Sequence, residues 1–389
     1  MANDSQEYIR IPLKGRIDSN NAHEIRQQVE AALAEADGKP PLFDASELIS
    51  ISSAGLRVLN IIRKQYTEPL IVDEVSRDVY DIFEITGFTN LFDVRRRMRE
   101  ISVDGCAVLG KGYFGTVYRL DADTVVKVYH TPDAVALINN EQKLSKAAFL
   151  KGIPTAICYD IVRVGNDYGS VFELLDAATY FEQIRRTPED RQAIVASYAR
   201  LLKQIHETEM DADTLPSAKE RFSGYLDTAQ TVLPQEACAR FRSLLNAVPD
   251  SNHALHGDCH MNNVMLVNGE PMLIDMDTLA VGNAIFDLGA LFFCYKPFEE
   301  DEPGNTERVF GISAEMADYI WNETLRVYFD NPEPSVLTGL KHRAELLGWL
   351  SFLNRMLTDF QGRPLTDVRT EHAVRHIEEL LDIVTELAI

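Results

Sequence analysis

Near residue 105 the sequence changes rhythm, and this change limits the possible folds more than any other feature. Before it, strand-like and helix-like stretches alternate. "YIRIPLKG" has the period of two of a half-buried strand. "NNAHEIRQQVEAALAEA" sets apolar or small residues at helical spacing, with Ser19 positioned to cap it. "PLFDAS" and "LIVDEV" are two further strands. Each is followed by a helix: "SSAGLRVLNIIRKQY", with Leu56, Leu59 and Ile62 on one face, and "SRDVYDIFEITGF", opened by Ser76. Such alternation predicts a sheet covered by helices, a small α/β domain. After the change, "CAVLGKGYFGTVYRL", "TVVKVYH" and "YGSVFELL" are strand-like around a glycine loop. Beyond about residue 187 nearly everything is helical. Thr187 is placed to cap a helix with Pro188 at its first position and Ile194, Tyr198, Leu201 and Ile205 as its buried stripe. A strand-rich lobe followed by a helix-rich lobe predicts a cleft between them.

With 389 residues the chain exceeds one ordinary core, so more than one domain is expected. Hydrophobic residues at 46% and charged residues at 25% describe a globular protein and exclude a disordered one. The formal charge of −22 argues against a surface built to coat nucleic acid, which needs a basic face. The same charge suits a cationic acceptor. The cysteines Cys106, Cys158, Cys238, Cys259 and Cys294 are odd in number and scattered, with no CxxC pair and no dense disulfide framework. The opening "MANDSQEY" is polar, without the basic flank and apolar run of a signal peptide. The apolar "AIFDLGALFFCY" is short and broken by Asp287, which disfavours a membrane span. The expectation is a cytoplasmic protein with neither nucleic-acid nor membrane partners.

Two segments carry unusual chemistry. In "GKGYFGTVY", Gly110, Gly112 and Gly115 lie between two strands, so backbone N–H groups there can approach phosphates unobstructed. A dinucleotide turn would run from its last glycine into a helix, whereas here a strand follows. Lys127, in the apolar "VVKVY", must reach solvent or find an anion. The nearby glycine loop favours an anion, and Glu141 in "NNEQKLSKAAFL" is placed to pair with the lysine.

The second segment is "HGDCHMNNVMLVNGEPMLIDMDT". "VMLVNGEPMLI" predicts a hairpin turning at Asn268-Gly269, which folds Asp275 back beside Asn263. Phosphoryl transfer requires a positioned acceptor hydroxyl, Mg²⁺ on the phosphates and neutralised charge. Asp258 can orient the acceptor and take its proton, while Asn263 and Asp275 offer hard oxygens to magnesium. Asp277 reads as an exposed carboxylate, and Trp321 and Trp349 as buried structural residues.

From these motifs, residues 105–389 resemble the aminoglycoside phosphotransferase and choline kinase group of the protein-kinase-like fold. "HGDCHMNN" resembles its catalytic loop, "LIDMDT" the segment replacing Asp-Phe-Gly, and "AIFDLG" a following Asp-Leu segment. The resemblance implies ATP and Mg as cofactors, Asp258 as catalytic base, and Asn263 and Asp275 as metal ligands. It puts Lys127 on the ATP phosphates with Glu141 behind it, Asp287 as an anchor of the catalytic loop, and His256 and His260 as residues shaping that loop. The glycine loop is closer to protein kinases, but no Ala-Pro-Glu activation segment is recognisable.

The first part of the chain resembles STAS domains, including anti-sigma factor antagonists, through "LKGRIDSNNAHEIRQQV", "ISISSAGLRVLNIIRK" and "VYDIFEITGFTNLFDV". Aligned on Gly55-Leu56, the resemblance puts a phosphoacceptor at Ser53, although Ser52 stands where Asp is usual. Ser53 as a plain helix cap is the competing reading.

The expected organisation is therefore an α/β STAS-like domain over 1–98 followed by a bilobal α+β protein-kinase-like domain over 105–389. The lobes divide at about 105–177 and 178–389. Between the domains, "FDVRRRMREISVDG" groups Arg95, Arg96, Arg97 and Arg99, which read as a solvated linker, with docking between domains as the alternative. The expected activity is ATP- and Mg-dependent phosphorylation of a small-molecule hydroxyl or amine, coupled to a regulatory STAS domain. A protein-serine kinase acting on its own or a partner STAS domain is one alternative. A non-catalytic, nucleotide-sensing partner-switch protein is the other.

Overall fold

The computed structural model describes residues 8–389 apart from 37, 113, 114, 176 and 359–368. The opening residues 1–7 and the tip of the glycine loop therefore lie outside the described residues. The chain begins β1 (Ile9–Ile17), α1 (Ala22–Ala34), β2 (Pro41–Ile51), α2 (Ser53–Arg63), β3 (Leu70–Val75), α3 (Arg77–Ile85) and β4 (Phe92–Arg96). Among the described residues these strands form a parallel sheet in the order β1-β2-β3-β4. The predicted alternation is realised: β1 buries Ile11, Leu13 and Ile17, and α2 buries Leu56, Val58, Leu59 and Ile62. Gly55 lets α2 press onto the sheet, since a Cβ there would lie 2.7 Å from both Ile17 and Ile51. Residues 11–92 supply a core of their own.

Three local expectations need correction. Helix α1 is preceded by Asn21, not Ser19; the Asn21 Oδ1 accepts from the Asp18 N–H at 2.9 Å and closes a loop ahead of the helix. Ser52, not Ser53, caps α2 by accepting from the Ala54 N–H at 3.2 Å. The arginine segment is solvated, as expected, but it is not only a linker, since Arg95 and Arg96 belong to β4. Arg96 lies over the Tyr80 ring, and the Arg97 guanidinium donates to the Ser46 carbonyl.

β5 (Arg99–Glu100) is already an edge of the next sheet, with Arg99 3.1 Å from Asp160. That sheet adds β6 (Val108–Lys111), β7 (Gly115–Arg119), β8 (Thr124–Tyr129), β9 (Asp160–Val164) and β10 (Asp167–Glu173), with α4 (Ala134–Leu150) inserted after β8. Its order among the described residues is β5-β9-β10-β8-β7-β6. Gly115 is required where β7 meets β8, because a Cβ there would come within 2.1 Å of the Val128 carbonyl oxygen.

The helical part contains β11 (Ala178–Thr179), α5 (Tyr180–Arg186), α6 (Arg191–His206), α7 (Ala218–Ala229) and α8 (Gln235–Ala247). The short strands β12 (Ala254–Leu255), β13 (Val264–Val267), β14 (Glu270–Leu273) and β15 (Ala280–Val281) follow. The chain ends with α9 (Ile285–Tyr295), α10 (Pro297–Asp301), α11 (Asn305–Phe310), α12 (Ala314–Tyr328), α13 (Pro334–Leu357) and α14 (Arg369–Ile383). Val195, Tyr198, Leu201 and Ile205 form the buried face of α6, with Ile194 packed against it. Thr187 both ends α5, where its hydroxyl donates to the Gln183 carbonyl, and precedes Pro188 at the start of a short 3-10 turn, Pro188–Asp190. That turn runs directly into α6 at Arg191, so the expected Thr-Pro start is present one turn ahead of the α-helix itself. Trp321 and Trp349 are buried, as expected.

α9 and α13 cross at two glycines. A Cβ on Gly348 would stand 2.4 Å from the Phe292 ring and 2.8 Å from the Gly289 carbonyl oxygen. Gly348→Ala should therefore lower stability by about 1–3 kcal/mol through overpacking, read as an earlier thermal or urea transition. An unchanged midpoint would mean that the helices separate freely.

Candidate active site

The site is assembled from a hairpin, a strand and a buried carboxylate. β13 and β14 pair in register from Val264↔Leu273 to Val267↔Glu270, turning at Asn268 and Gly269 with φ of 52° and 88°. Positive φ at both central residues is the geometry for which Asn-Gly is suited. The turn returns the chain so that the Ile274 N–H donates to the Asn263 carbonyl at 3.0 Å, which sets Asp275 next to Asn263. Asp275 itself holds φ at 56°. The Asn263 side-chain amide donates to the Asp258 carbonyl at 2.9 Å and lies 3.4 Å from the Asp258 carboxylate.

Behind this loop lies Asp287, buried on α9. It accepts from the His256 N–H at 2.8 Å, the Gly257 N–H at 2.6 Å and His206 Nε2 at 3.0 Å. Burial alone would raise its carboxyl; hydrogen bonding and charge from His206, then His256 and Gly257, hold it below the usual range. The anchoring bonds expected of Asp287 are thus present. Gly257 has φ of 84°, and a Cβ there would come within 2.6 Å of the Thr278 carbonyl oxygen. His256 is buried, and burial lowers its pKa. Its Nε2 lies 3.3 Å from the Ile274 carbonyl, tying the loop to the strand end. His260 Nε2 stands 3.8 Å from Asp258.

The six-stranded sheet supplies the opposing charge. Lys127, on β8, has its ammonium in contact with the Asp275 carboxylate and 3.4 Å from Glu141 of α4. The Tyr129 hydroxyl also donates to Glu141. Burial would discharge Lys127, but Asp275 and Glu141 raise its pKa well above the ordinary value, so the ammonium stays charged. Burial likewise opposes ionisation of Asp275, and Lys127 overrides it, lowering that pKa. For Glu141 burial prevails and the pKa rises.

The structure therefore brings Lys127, Glu141 and Asp275 into one ion cluster and joins Asn263 to Asp258. Gly110 and Gly115 lie on β6 and β7, where Val117 pairs with both Gly110 and Lys127. The Gly112 N–H donates to the Gly115 carbonyl at 2.9 Å. Ser53 is in the other part of the chain, exposed at the first position of α2.

Sequence reading missed four supporting residues. His206 orients Asp287 and also meets the Tyr328 hydroxyl at 2.8 Å; its only signal was a histidine ending an apolar stripe. Arg221 donates to the Thr278 carbonyl, and the Thr278 hydroxyl donates to the His256 carbonyl. Cys294 approaches the Asp258 carboxylate at 3.7 Å. No local pattern announces these contacts, which join distant segments.

Comparison with known proteins gives the family. The family model for the phosphotransferase enzyme family matches residues 105–319, more than half of the chain. The chain belongs to that family. Residues 2–95 match the MlaB-type STAS domain model. Over 85 residues the chain is 34% identical to BtrV of Bordetella bronchiseptica, described as a candidate anti-sigma factor antagonist. That stretch covers 21% of this chain and 72% of BtrV. Similar solved structures include an ADP-bound aminoglycoside phosphotransferase, at 18% identity and TM-score 0.46, covering 79% of this chain and 99% of that one. A choline/ethanolamine kinase family protein from Mesorhizobium loti has 16% identity and TM-score 0.46, with coverages of 71% and 88%. The chain is thus an enzyme of the phosphotransferase family with a STAS domain at its N-terminal end. Among the described residues no helix is long and apolar enough to cross a membrane.

Asp277 departs from expectation. Solvent reaches it, as expected, but the neighbouring protein desolvates its carboxyl. Desolvation, reinforced by Asp275, Glu141 and Asp258 against the pull of Lys127, pushes its pKa up from 3.8 to about 7. The folded chain therefore holds this proton more tightly than the unfolded chain does. The resulting stability is whole below pH 3.8 and is lost as pH rises through about 7. Thermal melts should show Asp277→Asn gaining on the wild type from pH 5 to about pH 7 and levelling off by pH 8. A constant difference across that range would contradict the raised pKa.

Proposed function

We propose that the chain is an ATP- and Mg²⁺-dependent kinase for a hydroxyl or amine of a small molecule, regulated by its STAS domain. The observation carrying this reading is the ion cluster of Lys127, Asp275 and Glu141, joined through the hairpin to Asn263 and Asp258. On this reading the working units are 1–98 and 105–389, the latter with lobes of about 105–177 and 178–389.

The donor set suits magnesium. Asn263 uses its amide nitrogen on Asp258, which leaves its amide oxygen as a ligand, and Asp275 keeps one carboxylate oxygen beyond the one on Lys127. These are hard oxygens of the kind Mg²⁺ selects. When bound, magnesium would neutralise phosphate charge and orient the transferred group. Backbone N–H groups around Gly110, Gly112 and Gly115 would hold the nucleotide phosphates, and Lys127, kept charged by its neighbours, would meet them from β8. Asp258 would orient the acceptor and take its proton, with Asn263 and Asp287 keeping the loop in position. A cationic acceptor fits the carboxylate of Asp258 together with the net charge of −22.

A second reading is favoured by Ser53 and the anti-sigma antagonist relative. Ser53 is exposed at a helix start, where a phosphate would meet the positive end of the helix. In that case the acceptor is a STAS serine, on this chain or on a partner.

One experiment separates the readings. The full chain is incubated with Mg-ATP and a panel of amines and alcohols, following ADP release and phosphopeptides. Acceptor-stimulated release without a modified peptide supports the small-molecule kinase. Phosphate on Ser53 supports the second reading. Asp258→Asn should lower kcat by about 10²- to 10⁴-fold while retaining ATP binding, and chelating magnesium should abolish turnover. Full turnover by Asp258→Asn would remove that residue from its role. ATP binding without turnover in the wild type would leave a nucleotide sensor.

A further inference from the structure

Away from this site, α14 carries His372 and His376 one turn apart, so both rings leave the same face of the helix. Their Nε2 atoms are 3.0 Å apart. Glu300 Oε1, on α10, lies 3.1 Å from His372 Nε2 and 2.9 Å from His376 Nε2. The three atoms form a nearly equilateral triangle. Hydrogen bonds cannot account for all three edges. Each ring nitrogen carries at most one hydrogen, in the ring plane, and can aim it at only one neighbour. If both rings donate to Glu300, two N–H groups are left facing each other across the third edge. A tetrahedral ion with bonds of about 2.0–2.1 Å has ligand–ligand edges of about 3.3 Å, which is close to this spacing.

The surroundings agree. The Nδ1 of His372 faces the Asp301 carboxylate. With Nδ1 donating, Nε2 keeps its lone pair for a ligand, the carboxylate–histidine arrangement common behind metal-bound imidazoles. The other Asp301 oxygen is buried without a hydrogen-bond partner among the described residues. Trp349 stacks flat on His376, with ring centroids 4.0 Å apart and planes 8° apart, which fixes the second ring.

We propose that Glu300, His372 and His376 bind one divalent transition-metal ion of the zinc class, with Asp301 orienting His372. Two imidazoles and a carboxylate favour such an ion over Mg²⁺ or Ca²⁺, which prefer oxygen. Glu300 is about half exposed, with its side chain at 47%, so water completes the coordination. The ion clamps α14 to α10. Only Lys296 separates α10 from α9, the helix carrying Asp287 and Cys294. The ion thus pins the last helix to the segment behind the catalytic loop.

The test uses the full chain, stripped of metal by chelation and titrated with Zn²⁺ against a chromophoric chelator in excess Mg²⁺. One equivalent should bind to the wild type and raise its melting temperature. His372→Gln, His376→Gln and Glu300→Gln should each lose that equivalent and the thermal gain. Co²⁺ in place of zinc should give a spectrum free of thiolate charge transfer, which separates this site from the five cysteines. The half-exposed Glu300→Gln variant, checked by circular dichroism, carries the test if a histidine variant fails to fold. No bound equivalent, unchanged binding in the variants, or a thiolate band would each overturn the proposal and leave a hydrogen-bonded histidine pair.

Discussion

The ammonium of Lys127 touches a carboxylate from the strand end after the hairpin and lies beside another from α4, and the site is organised around that contact. Lys127 and Asp275 are 148 positions apart in the chain, and their pairing joins the six-stranded sheet to the helical region. Lys127 is largely enclosed, so it would lose its charge if alone. Two anions keep it protonated, and it in turn keeps Asp275 ionised. This mutual support leaves a fixed positive charge beside the glycine hairpin and a fixed negative one beside Asn263. The same arrangement carries a cost: desolvation, reinforced by the neighbouring carboxylates, pushes the Asp277 pKa up to about 7 against the pull of Lys127.

A second buried anion holds the loop that carries Asp258. Asp287 accepts two backbone N–H groups and the ring of His206, so its negative charge is both solvated by protein and aimed at the loop. Backbone there must bend at Gly257 in a conformation that other residues rarely adopt. Positioning of the loop thus comes from Asp287 and His206 behind it and from the bend at Gly257.

Much of the architecture could be read directly from the chain. The alternation before residue 105, the strands around the glycine loop and the Asn268-Gly269 turn were all legible, because each depends on local period or turn chemistry. The pairings of Lys127 with Glu141 and of Asp287 with the loop were expected from motif resemblance and are present. Helix starts were read less well. Ser52 displaces Ser53 as a cap and Asn21 displaces Ser19, whereas the Thr187-Pro188 start is present but opens a 3-10 turn ahead of α6. Neighbouring polar residues compete for such positions, and only the final path of the backbone decides among them. The arginines at and after the end of β4 are solvated, as they looked, yet Arg96, Arg97 and Arg99 also find Tyr80, Ser46 and Asp160, partners 16 to 61 positions away in sequence.

The sequence by itself determined the residue types, their spacing and the hairpin that returns Asp275 beside Asn263, since these follow from bonds and periods within a few dozen residues. Tertiary structure alone decided that His206 would orient Asp287 and that Cys294 would approach Asp258. It also decided that Glu300 would meet His372 and His376, more than seventy positions further along. Each of these contacts needs separate helices to pack first, and no short window of sequence records which faces will meet.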